Sequence, residues 1–210
     1  MWLLYFCGLF LCLFVVLYKN YITRHAKFGK RKTKRVKLLA VLGSGGHTTE
    51  MIELLSGLDE NIYQPRVYVL ADTDKMSSNR VKSFENERQN KAFTVLKVPR
   101  SREVGQSYLT SVITTLYATY FSAQVVWNEK PDLILLNGPG TCIPIAVVAA
   151  FLDMLRITDN CIIFEESICR VQRLSLSGLI LYYTQLADEL VVQWPQLAEK
   201  YHKCRYIGKL

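Results

Sequence analysis

The segment Gly43-Ser44-Gly45-Gly46-His47-Thr48 follows a short apolar run, residues 36–42, and opens a stretch with helical spacing. A buried strand that breaks into glycines and then starts a helix is the strand–turn–helix unit of a parallel α/β sheet. In that turn backbone N–H groups converge, and the helix N-terminus adds partial positive charge, so the place suits an anion. The spacing is not a Walker A loop, because no Gly-Lys-Ser/Thr follows. It is not a full G-x-G-x-x-G either, because Thr48 stands where the third glycine belongs. What remains is a phosphate-cradling turn with an imidazole at its tip, suited to a phosphorylated substrate and to moving a proton beside it.

The rest of the chain repeats the same alternation. Strands are expected at 36–42, 65–71, 93–98, 132–136, 161–164 and 189–193, and helices at 48–58, 77–90, 107–128, 143–155 and 175–187. Apolar runs of four to seven residues between helices predict a Rossmann-like parallel sheet with helices on both faces. Ligands of such sheets bind at the carboxyl ends of the strands. Three chemically unusual loops fall at that edge: the glycine turn, Asn137-Gly138-Pro139-Gly140-Thr141, and Glu165-Glu166-Ser167.

Within those loops His47 is either a general base or a shaper of the turn. Thr48 reads as the N-cap of its helix, with Glu50 in a first turn whose dipole suits a carboxylate. Gly138 and Gly140 set a rigid turn that leaves N–H groups open to a ligand, or else they merely end a strand. Glu165 and Glu166 are adjacent and face opposite ways in extended backbone, so one at most enters the site; Glu166, beside Ser167, is the choice. The helix bearing Tyr108, Tyr117, Tyr120, Phe121 and Trp127 is either core or a surface that touches lipid.

Charge divides the chain sharply. Residues 19–37 hold nine of the 26 Lys and Arg residues, and no acidic residue precedes Glu50, which leaves 17 basic against 18 acidic residues for the remainder. The net charge of +8 therefore belongs to a linker, and the domain behind it lacks the basic face that nucleic acid requires. Ahead of the linker, residues 1–18 carry no charge. As a helix they reach ~27 Å, about the hydrocarbon thickness of an endoplasmic reticulum bilayer. A cleaved signal peptide would need a basic start and a small-x-small cleavage site; neither is present, so a retained anchor is expected. The positive-inside rule then places 38–210 in the cytosol. The six cysteines include no C-x-x-C pair and no metal-ligand spacing, and burial in a reducing compartment is their expected state.

Taken together, the anchor with its basic flank, Gly43 to Met51, Asn137 to Thr141, Glu166-Ser167 with Arg170-Val171, Leu174 to Gly178, and Val192-Gln193-Trp194-Pro195 give the chain a family. It resembles the membrane-anchored subunit of the UDP-N-acetylglucosamine transferase of dolichol-linked oligosaccharide synthesis, the asparagine-linked glycosylation protein fourteen family. The resemblance implies one half of a GT-B glycosyltransferase: a single-pass endoplasmic reticulum protein whose cytosolic domain binds the acceptor, dolichyl-diphosphate-GlcNAc. The other half would be a separate cytosolic UDP-GlcNAc-binding subunit of the asparagine-linked glycosylation protein thirteen type, held by the C-terminal end. By the same resemblance, Gly43, Ser44, Gly45, Gly46, Thr48, Asn137, Gly138, Gly140, Thr141 and Ser167 bind acceptor and diphosphate, and His47 and Glu166 are catalytic. No metal and no cofactor are expected. Two rivals remain: an oxidoreductase using Asp72 as its ribose acid, and a membrane platform that only recruits an enzyme.

Overall fold

The structure is a computed structural model that describes residues 35–208 except 103, 104 and 139, together with residues 14, 15 and 18. Its strands are β1 (Val36–Leu42), β2 (Tyr63–Ala71), β3 (Phe93–Val98), β4 (Leu133–Asn137), β5 (Cys161–Glu165), β6 (Glu189–Val192) and β7 (Cys204–Tyr206). They form one sheet in the order β3-β2-β1-β4-β5-β6-β7, with every pairing parallel. Between them lie α1 (Gly46–Ser56), α2 (Lys75–Glu87), α3 (Tyr108–Glu129), α4 (Cys142–Met154), α5 (Leu176–Thr184) and α6 (Pro195–Lys200). This is the doubly wound Rossmann-like arrangement that the alternation predicts. The strand order reverses between β1 and β4, and the crevice of such a sheet opens at that switch point.

Alternation along the strands divides the core into two layers. Leu38, Ala40 and Leu42 of β1 point to one face, where Met51 and Leu55 of α1 and Val81 of α2 cover them. Leu39 and Val41 point to the other, beneath Val126 of α3, Ile145 and Ala149 of α4 and Leu181 of α5. Both layers are lined by apolar side chains, so the inner strands read as near-continuous apolar runs.

Several expectations are corrected. The helix after β1 starts at Gly46 rather than at Thr48, with Gly45 in the N-cap position. Thr48 therefore lies inside the first turn, where its hydroxyl donates to the Gly43 carbonyl at 2.6 Å and pairs with Ser77 Oγ at 2.6 Å. A seventh strand and a short helix, β7 and α6, extend the predicted sheet. The aromatic helix is mostly surface: Tyr117, Tyr120 and Trp127 are exposed, whereas Phe121 packs on the core. Cys142, Cys161 and Cys204 are buried as expected, but Cys169 is exposed. Among the described residues no helix is long and apolar enough to cross a membrane; apart from 14, 15 and 18, the apolar run 1–18 lies outside them.

Candidate active site

Register builds the site. Leu42, the last residue of β1, pairs with Asn137, the last of β4, and Asn137 in turn pairs with Glu165, the last of β5. Three strands thus end level, and the loops that follow them meet. The turn after β1 runs beneath the His47 ring: a Cβ on Gly43 would sit 2.9 Å from His47 Cβ. Gly138 presses from the other side at φ +98°, where a Cβ would meet His47 Cγ at 3.0 Å and the Gly43 Cα at 3.2 Å. Only glycine fits a position that is both left-handed and this crowded.

The ring nitrogen Nδ1 of His47 lies 2.9 Å from Asn137 Oδ1 and 3.3 Å from Glu50 Oε2. Asn137 Nδ2 donates to Glu50 Oε2 at 3.1 Å and to Glu165 Oε2 at 3.1 Å. Gln193, just past β6, donates to Glu165 Oε1 at 3.0 Å. The other oxygen of Glu50 accepts from Ser167 Oγ at 2.8 Å and from the Ile168 amide at 3.3 Å. A single polar network therefore crosses from α1 through the ends of β4 and β5 to the end of β6. His47 Nε2 has no protein partner among the described residues.

The hydrogen bond to the Glu50 carboxylate raises the His47 pKa, against the opposing effect of burial. Burial works to raise Glu50, but hydrogen bonds from His47, Ser167 and Asn137 outweigh it and hold the group below the usual carboxylate range. Glu165 goes the other way: burial pushes it up to about 7 despite the amide donors of Asn137 and Gln193.

Helix starts distinguish two of the loops. Asp74, Ser107 and Ser175 cap α2, α3 and α5, each accepting from a backbone N–H of its own first turn. Neither α1 nor α4 has a side-chain cap; the short α6 has none either, but it opens on Pro195, which has no N–H to cap. α1 and α4 begin on either side of the switch point, so leading N–H groups there are left without a side-chain partner, with the Ile143 amide of α4 donating to the Gly140 carbonyl at 3.4 Å. Gly45 holds the entry to α1 at φ +70° with open space around it, and Ser44 and Gly46 are exposed alongside. Beside the second start, Ser101 Oγ is buried without a partner among the described residues, 3.2 Å from where a Cβ on Gly140 would sit.

The three loops come together, but not every named side chain faces the opening. Asn137 is fully buried and its amide is spent on its neighbours, so it builds the site from within. Ser167 is likewise committed to Glu50. Glu166, the expected choice, has one oxygen on the Ser175 amide at 2.7 Å and hydroxyl at 2.9 Å, so it anchors the start of α5 while its charge still acts on His47. Glu165 is the member of the pair that joins His47, through Asn137. Among the described residues no group of three or more His, Cys, Asp or Glu side chains could hold a metal ion.

Comparison with known proteins places this geometry. The family model described as "Oligosaccharide biosynthesis protein Alg14 like" matches residues 38–210. The chain belongs to the Alg14 family. A human Alg14 relative, named UDP-N-acetylglucosamine transferase subunit, is 48% identical over 182 residues, which cover 83% of each chain. Relatives of the same name from Yarrowia lipolytica and Schizosaccharomyces pombe are 42% and 41% identical, over 85% and 87% of this chain. Among solved structures, Acinetobacter baumannii MurG superposes with a TM-score of 0.55 at 16% identity. The match takes in 84% of this chain but only 44% of the MurG chain, so the Alg14 fold described above corresponds to less than half of that protein. With Alg14 membership, the oxidoreductase built on Asp72 is set aside.

Proposed function

We propose that this chain is the acceptor-binding subunit of a UDP-GlcNAc-dependent glycosyltransferase, active on dolichyl-diphosphate-GlcNAc in asparagine-linked glycan assembly. The observation that carries the reading is the pair of uncapped helix starts flanking His47. The amides of Gly45 and Gly46, with Ser44, receive the acceptor diphosphate, and the Gly138–Thr141 loop closes the opposite wall. An anion there satisfies orphan N–H groups that no side chain reaches, and it sits on two favourable dipoles. His47 Nε2 takes the proton from the acceptor 4-hydroxyl as O4 bonds to the anomeric carbon and the bond from that carbon to UDP breaks, with inversion.

UDP-GlcNAc comes from a second, cytosolic subunit. This domain is about one half of a two-domain enzyme, consistent with the fraction of MurG that it matches. Residues 1–18 anchor the chain in the endoplasmic reticulum membrane, 19–37 flank the bilayer, and the domain faces the cytosol. The sheet face bearing α3 to α5 supports that orientation. α3 carries no charged side chain before Glu129, and its Ile113, Leu116 and Tyr120 are more than 60% exposed. Tyr18, at the end of the apolar run, donates to the carbonyl of Thr184, the last residue of α5. A contact of the run's last residue with this face is what an anchor leading into the domain there would make.

The test is GlcNAc transfer to dolichyl-diphosphate-GlcNAc by the chain with and without its donor subunit. The chain alone is expected to be inactive. With the donor subunit present, Gly45→Val abolishes transfer more completely than His47→Ala, and both still co-purify with the donor subunit. Normal transfer by folded, partner-bound Gly45→Val overturns the acceptor site.

A further inference from the structure

Glu50 touches four groups that come from three separate parts of the chain, which is more than a carboxylate in a helix start needs. We propose that Glu50 is a positioning residue: one oxygen fixes the tautomer of the His47 ring and the other ties that ring to the loop after β5. The proposal rests on His47 as the base, as set out above.

The tautomer follows from hydrogen-bond bookkeeping. The Asn137 amide nitrogen faces two carboxylates, Glu50 at 3.1 Å and Glu165 at 3.1 Å. An ionised Glu50 can only accept, so this fixes which way the amide points. Its oxygen is then the atom 2.9 Å from His47 Nδ1, and the second neighbour of Nδ1 is Glu50 Oε2 itself at 3.3 Å. Both partners of Nδ1 are acceptors, so the ring proton of neutral His47 sits there. Nε2 is left as a lone pair facing the opening, the form a base requires.

The second oxygen gives the arrangement its reach. Ser167 Oγ at 2.8 Å and the Ile168 amide at 3.3 Å hold Glu50 Oε1. The Ile168 carbonyl in turn accepts from Trp194 Nε1 at 2.7 Å. A displacement of the 167–168 loop therefore pulls on the carboxylate that sets the ring. The charged groups that act on His47 are Glu50 from α1 and Glu165 and Glu166 from the end of β5; Arg80 of α2 lies on the turn, its guanidinium donating to the Gly45 carbonyl at 3.4 Å and to Thr49 Oγ1 at 2.8 Å. Of these groups Glu50 alone is hydrogen-bonded to the ring.

The experiment is selective 15N-histidine NMR on the full chain in detergent, alongside transfer assays with the donor subunit. The chain has three histidines, and His47→Ala identifies the ring in question. The wild-type ring should show Nδ1 protonated and Nε2 unprotonated above its pKa. In Glu50→Gln its titration moves to lower pH, the acid limb of transfer moves with it, and the rate falls ~10- to 10²-fold, less than the loss of the imidazole itself. Glu50→Asp, which keeps the charge with a shorter reach, recovers part of both. An Nε2–H tautomer in the wild-type ring overturns the proposal even if no variant folds, as does a titration unchanged in Glu50→Gln. If the ring titration moves but transfer at every pH does not, Glu50 positions the ring as proposed, and His47 as base is the part that fails.

Discussion

Two buried polar clusters sit at opposite edges of this sheet, and they are built to different ends. At the amino edge Arg66 of β2 and Glu85 of α2, each no more than 1% exposed, form a two-pronged ion pair with both contacts at 2.7 Å. The remaining guanidinium donors reach the carbonyls of Tyr63, Glu60 and Asn90, and the Tyr68 hydroxyl donates to Glu85. Every charge there is answered from within. At the carboxyl edge, the cluster of Glu50, Asn137, Glu165 and Gln193 is equally well connected but stops short at one atom, His47 Nε2. Burial of charge is common to both. An unanswered atom at the mouth of the switch point belongs to only one, and that is where function is to be sought.

The comparison breaks if the two clusters respond alike. The largest expected effect is on transfer: His47→Ala lowers it ~10²- to 10⁴-fold, while denaturant titration finds stability within about 1 kcal/mol of wild type. A fall in both together would mean that the carboxyl-edge cluster is structural as well. Glu85→Ala is the mirror experiment. It strands a buried guanidinium and costs ~3–5 kcal/mol of stability, whereas Arg66→Met with Glu85→Leu costs much less because no charge is left alone. Transfer per folded molecule should be unchanged in either variant, and its loss would erase the distinction between the edges.

A pH series sharpens the contrast. Because burial raises the Glu165 carboxyl to about 7 from 4.5, the folded chain binds that proton more tightly than the unfolded chain. Stability contributed at this position is therefore highest at low pH and declines as pH rises from about 4.5 to 7, by at most about 3 kcal/mol. Glu165→Gln should flatten that decline in urea titrations run from pH 5 to 8. The smallest effect belongs to the rim. Arg80 is exposed, so Arg80→Ala should change stability by less than about 0.5 kcal/mol. Losing a cation beside the glycine turn should still raise the acceptor KM a few-fold, and more steeply at low salt. An unchanged KM would place the diphosphate elsewhere.

Much of this was legible in the chain itself. The bounds of β1 and β3 match the expected strands residue for residue: β1 because a central parallel strand leaves a near-continuous apolar run, and β3, an edge strand buried only at its last residue, because its apolar residues sit between polar ends. Alternation also says that Glu165 and Glu166 face different ways, so that one of them can hydrogen-bond to Asn137 at the strand ends. It could not say which, since that depends on Asn137 pairing in register with Glu165 across the sheet. Glu50 shows the limit more plainly. Locally it is an acid in an early helical turn, and only contact with Ser167, 117 residues away, makes it a hub. The N-cap expected at Thr48 failed because two glycines let the helix begin earlier, drawing the hydroxyl into the first turn. A strand of three residues, β7, has too short a pattern to announce itself.

The uncharged side of the sheet bears on how the protein behaves in a tube. Val112, Ile113, Leu116, Tyr117 and Tyr120 of α3 all face outward, an exposed apolar stripe of the kind that drives self-association. Held in plain buffer, the molecule is expected to self-associate through this stripe before its fold gives way. How long a sample stays monodisperse should then depend on its concentration and on the amphiphile supplied with it, and a melting curve recorded without that amphiphile should report association along with unfolding.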